Sequence, residues 1–110
     1  MTEKSKKYLI NILMAIDLIE NFMADTPDFD FYQKDLKTQS AIERQLAIIG
    51  EALNKLKQIE SKLSIKNDKQ IIGFRNRVIH AYDNIDNTIV WVIVKRHLPE
   101  LKIEIKHLSG

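Results

Sequence analysis

Apolar residues recur through the first part of the chain at spacings of three and four: Leu9, Ile12, Leu13, Ile16, Ile19 and Met23. That period puts them on one face of a helix from about Lys4 to Asp25. Thr26-Pro27 ends it, because proline lacks a backbone N–H and disfavours helical geometry in the residue before it. A turn across Thr26 to Asp30 follows, where Phe29, Phe31 and Tyr32 are expected to pack the connection, with or without a short helical turn. The strongest pattern comes next: Ile42, Leu46, Ile49, Leu53 and Leu56 alternate steps of four and three, predicting a longer helix from roughly Asp35 to Leu63. Gly50 inside it lowers helix propensity by roughly 1 kcal/mol relative to Ala, so a neighbouring helix is expected to approach there. Glu43, Arg44 and Glu51 lie off the seam. Because charged residues are rarely buried, they read as a solvated face, with the lining of a polar cleft as the alternative.

Ser64 to Asp68 is a polar break holding two candidate caps, Asn67 and Asp68. Ile71, Phe74, Val78 and Ile79 then form a third helical face, and Asp83-Asn84-Ile85-Asp86-Asn87 reads as a loop. Asp86 or Asn87 can cap a fourth helix through Thr88, Val90, Trp91, Val94, His97 and Leu101, which Pro99 should kink or split near Leu98. The run Ile89 to Val94 is β-branched and in isolation resembles a buried strand. A lone strand among three helices has no partner for its backbone groups, so helix is the consistent reading. The expectation is an all-α, antiparallel bundle of about four helices, one domain over residues 1–110.

Composition narrows this further. Three Gly and two Pro in 110 residues leave little material for an all-β fold. With no Cys and three scattered His there is no disulfide framework, no thiolate nucleophile and no expected metal site or cofactor. The first predicted helix is amphipathic and interrupted by Asn11 and Asp17, unlike a secretory signal, and the longest apolar run is too short to span a bilayer. A soluble, cytoplasmic protein without membrane association is expected. A net charge of +2 is too small for a nonspecific nucleic-acid coat, while leaving room for a local basic surface and an RNA substrate.

One segment concentrates chemistry: Gly73-Phe74-Arg75-Asn76-Arg77-Val78-Ile79-His80-Ala81-Tyr82. Arg75 carries a charge that cannot be removed and His80 an imidazole that can accept and donate a proton, which suits holding a phosphate and moving a proton. On a helix Asn76 and His80 share a face, whereas Arg75 and His80 are about 140° apart. A joint site therefore requires that the helix loosen near His80, that Arg75 wrap round, or that a second subunit contribute. Arg77 lies about 200° from Arg75 and reads as a solvated charge or an RNA-facing contact. A purely structural reading also stands: a His at a helix C-terminus complements the dipole and a Tyr packs beside it. His97 and His107 have no charged partner at diagnostic spacing and read as structural.

Arg75-Asn76, three residues, His80, one residue and Tyr82 resemble the signature of the HEPN superfamily in its HepT toxin branch. Ile48-Ile49-Gly50-Glu51-Ala52, Ile72-Gly73-Phe74, the Asp83 to Asp86 loop, Trp91 and Leu98-Pro99-Glu100-Leu101 resemble the same family, from roughly residue 4 to residue 105. The resemblance implies a helical bundle that dimerises with its Arg-His motifs facing across a cleft, and a metal-independent endoribonuclease. Catalytic roles would fall to His80 as acid or base, to Arg75 on the phosphate, and to Asn76 orienting the imidazole or binding phosphate. It also implies an MntA-like minimal nucleotidyltransferase antitoxin that transfers AMP from ATP to Tyr82. The alternatives are a non-catalytic module that binds nucleotide or docks a partner, and a structural bundle whose motif only completes a core.

Overall fold

The computed structural model describes all 110 residues apart from the side chain of Tyr82. Among the described residues there are helices and turns and no strand. Helix α1 spans Glu3–Met23 and begins where the Thr2 hydroxyl accepts the Ser5 N–H at 3.0 Å. The buried Ser5 hydroxyl in turn donates to Glu60 at 2.7 Å, which fixes the start of α1 beside the end of α3. Helix α2 (Phe29–Lys34) and helix α3 (Leu36–Ile59) start at Asp28 and Asp35, whose carboxylates accept backbone N–H groups from Phe31 and Thr38. α3 is the central rod, packed on α1 and on α4 (Asp68–His80). The predicted seam is the core: Ile12, Ile16 and Ile19 of α1 meet Ile42, Leu46, Ile49, Leu53 and Leu56 of α3, all essentially inaccessible.

Three expectations are corrected. α3 stops at Ile59 instead of running to Leu63, because a continued helix would carry Ile65 about 180° round from Leu56, out of the core. Glu60 leaves helical geometry (φ −107°, ψ 73°), and Ile65 is buried in the turn that follows. Of the aromatic trio, Phe29 and Tyr32 pack against Trp91, with ring centroids 5.6 and 5.7 Å away, but Phe31 is exposed. Phe31 and Tyr32 lie about 100° apart round the short α2, which turns Tyr32 to the core and leaves Phe31 on the outside. Asn67 stands at the N-cap position of α4, yet its side chain makes no cap; Asp68 lies in the first turn and pairs with Lys57 at 2.6 Å.

After α4 the chain makes one 3₁₀ turn, Tyr82–Asn84, and α5 (Asn87–Val92) starts with the Asp86 carboxylate accepting the Thr88 N–H at 2.9 Å. The β-branched run is helical, as expected. Pro99 acts upstream of itself: residues Ile93–His97 form a π-helical turn leading into α6 (Leu98–Ser109), whose first turn holds Pro99. Proline cannot donate to the carbonyl four residues earlier and its ring clashes there, and a π turn with its i to i+5 bonding accommodates both. Among the described residues no helix is long and apolar enough to cross a membrane.

Candidate functional site

The position of Arg75 is decided by Gly50. A Cβ on Gly50 would lie 2.5 Å from the Arg75 Cβ and 2.9 Å from the Ile71 carbonyl oxygen, so α3 and α4 approach here only because residue 50 has no side chain. The expected close approach at Gly50 is thus present, and its neighbour is the motif itself. Arg75 is laid along α3: its Nη2 pairs with a Glu51 carboxylate oxygen, and its Nη1 donates to Asn76 Oδ1 at 3.0 Å. Arg75 Nε is buried and has no hydrogen-bond partner among the described residues.

Glu51 and Glu43 are half-buried in an open groove bounded by α1, α3 and α4, with Arg44 and Lys55 beside them. The preferred reading of a solvated face holds for Arg44, which is exposed, whereas Glu43 and Glu51 are half-buried on the wall of a groove whose lining is largely apolar. The seam of α3 is narrow, and residues just off it are covered when α1 and α4 close on either side. Burial holds the Glu43 carboxyl above its ordinary pKa.

His80 is exposed on the last residue of α4. The helix does not loosen before it, since Ala81 N–H still bonds to the Arg77 carbonyl at 2.7 Å. Arg75 wraps toward Glu51, so it remains about 140° round the helix from His80. Asn76 is exposed and bonded to Arg75 instead of His80, which makes it a partner of the guanidinium. The fourth motif residue, Tyr82, has its side chain outside the described residues.

Sequence reasoning set His97 aside, yet it sits in a network. Its Nδ1 lies 3.0 Å from Asn67 Oδ1, and Asn67 Nδ2 donates to Glu100 at 3.0 Å. The partner is 30 residues away in the chain, beyond any local spacing signal. That donated bond, with help from Lys66, holds the Glu100 carboxyl below its usual range. His97 borders a second groove of about 390 Å³ between α4 and α5, lined also by Lys69, Gly73, Phe74, Arg77 and Ile89. Every ionisable residue on its walls is basic.

The profile of the family described as Ribonuclease HepT-like matches residues 12–108. The chain is similar to the probable ribonuclease HepT of Thermococcus cleftensis, 36% identical over 106 residues covering 93% of each chain. It is 34% identical over 104 residues to a Methanocaldococcus jannaschii protein with a provisional RNase name, covering 94% of this chain and 89% of that one. A Caldanaerobacter subterraneus protein with a provisional RNase name is 33% identical over 105 residues, covering 94% and 92%. No solved structure matches.

Proposed function

The chain belongs to the ribonuclease HepT-like family, and from that premise we propose that it is a metal-independent endoribonuclease toxin acting as a homodimer in the cytoplasm. His80 exchanges protons with the RNA and Arg75 holds the scissile phosphate. The 2′-oxygen attacks phosphorus as its proton leaves, the bond to the 5′-oxygen breaks, and the departing oxygen takes up a proton. The products are a 2′,3′-cyclic phosphate and a 5′-hydroxyl. RNA supplies the nucleophile, so the protein contributes proton transfer and charge.

The observation that carries this reading is the pair itself: an exposed His80 ending α4 and an Arg75 anchored five residues earlier, in a chain whose relatives bear ribonuclease names. A guanidinium has five N–H donors, and the contacts with Glu51 and Asn76 leave others for phosphate. Because α4 is unbroken, the two groups of one chain diverge, and the reading makes the site composite: Arg75 of one subunit works with His80 of the other. Control belongs to an MntA-like nucleotidyltransferase antitoxin that moves AMP from ATP to Tyr82, adding bulk and negative charge beside the site.

Purified, unmodified protein should cleave RNA in EDTA, and His80→Ala should slow cleavage by about 10²–10⁴-fold, as loss of a general acid or base does. Equal cleavage by the variant removes the catalytic assignment. Incubation with the partner and ATP should add AMP to the wild type and none to Tyr82→Phe. One observation favours a second reading, a module that binds nucleotide without turnover: Glu51 already neutralises Arg75. Calorimetric saturation with ATP or oligoribonucleotide in protein that never cleaves RNA would select it.

A further inference from the structure

Two glycines lie inside long helices, and only one is explained by this chain. Gly50 admits Arg75, whereas a Cβ on Gly73 would meet nothing within 4 Å. Glycine is among the poorest helix formers, and no packing contact within this chain requires one at position 73, which leaves the space beside it open. The space is the α4–α5 groove, whose floor is apolar through Phe74 and Ile89 and whose ionisable wall residues are Lys69, Arg77 and His97. Its volume of about 390 Å³ is at the scale of a small-ligand site.

We propose that this groove seats an unpaired ribonucleotide of the substrate strand beside the bond cleaved at His80, with Lys69 and Arg77 on its phosphates and its base over the apolar floor. The proposal rests on the ribonuclease reading and deepens it. Register supports it: His80 follows Gly73 by seven residues and so lies within about 20° of it round the helix and about 10 Å along the axis. The groove therefore runs toward His80, on the side of α4 turned away from the Arg75–Glu51 pair. Charge decides between the two grooves. The one holding Arg75 mixes Glu43 and Glu51 with its cations, while the α4–α5 groove has no acid on its walls. A second copy seated groove to groove fits it poorly, since the ionisable wall residues of both copies are basic and neither groove offers an acid to the other.

His97 adds a means of reading the base. A carboxylate only accepts, so the Asn67 amide N–H₂ faces Glu100 and Asn67 Oδ1 must accept from His97 Nδ1. The neutral imidazole is then held as the Nδ1–H tautomer, leaving Nε2 as an acceptor for an amino or imino N–H of a base. Unpaired bases displayed on apolar surfaces and read along their edges are the usual targets of sequence-sensitive RNA binding.

The test is fluorescence anisotropy of a short single-stranded oligoribonucleotide on full-length His80→Ala protein across a salt series, with light scattering and thermal melts on every variant. Adding Lys69→Ala and Arg77→Ala together should weaken binding at least tenfold and reduce the salt slope by about 1.4, two phosphate contacts to a single strand. Adding Gly73→Leu should raise the melting temperature, leave the assembly unchanged and weaken binding at least tenfold. Unchanged affinity and slope in the Lys69/Arg77 variant overturn the groove, and that result is read even if the leucine variant fails to fold. Loss of assembly in Gly73→Leu overturns it in favour of a second copy as the occupant. If wild-type protein cleaves RNA while these variants bind as before, the groove falls and the ribonuclease reading stands; if they lose binding but wild-type protein never cleaves, the ribonuclease reading falls instead.

Discussion

Arg75 owes its place to two neighbours on α3: Gly50, which makes room for its Cβ, and Glu51, which takes its guanidinium. Gly50→Ala sets two effects against each other. Alanine gains about 1 kcal/mol of helix propensity, but a Cβ 2.5 Å from Arg75 Cβ forces α3 and α4 apart, and overpacking costs about 1–3 kcal/mol. The clash meets a Cβ and a backbone oxygen instead of a flexible tip, so it wins. Urea unfolding should show a destabilised Gly50→Ala protein whose RNA cleavage is also reduced. Glu43 makes a pH-dependent prediction. Burial raises its pKa above the ordinary 4.5, so the folded state holds the proton more tightly than the unfolded chain. Its contribution is most favourable below the unfolded value and is lost as pH rises through the raised one. Glu43→Gln should therefore melt higher than wild type at pH 7, with the gap narrowing toward pH 4.

At the scale of elements, most of what organises the molecule was legible along the chain. The faces of α1 and α3, the break at Thr26-Pro27 and the Asp86 cap are local effects of spacing, a missing N–H and a short carboxylate. The end of α3 was misread because it depends on where Ile65 finds cover; the break near Leu98 was legible from Pro99, and only its form, a π turn upstream of the proline, was not. Since that turn already avoids the clash, Pro99→Ala releases little. Urea unfolding of Pro99→Ala should differ from wild type by less than about 1 kcal/mol, the size of the unfolded-chain entropy that proline removes.

For the whole molecule the decisive matter is the divergence of Arg75 and His80 on an unbroken α4. If the working site joins one subunit's Arg75 to the other's His80, two dead variants can rescue each other. Mixing Arg75→Ala with His80→Ala under conditions of subunit exchange leaves one intact site in each heterodimer. Random assortment then restores about a quarter of wild-type cleavage. A site built within single chains restores none, and the rate of cyclic-phosphate formation after mixing distinguishes them. What the sequence by itself determined is whatever acts over a few residues: that the chain is helical, which faces turn inward, and that Arg75, Asn76 and His80 ride one helix in a fixed angular order. What only the tertiary structure decided is which distant groups meet. Glu51 reaches Arg75, Asn67 reaches His97, and Gly50 and Gly73, alike in sequence, differ because one faces a packed helix and the other open space. Backbone geometry repeats every few residues and is written locally; side-chain partnership depends on how whole helices pack.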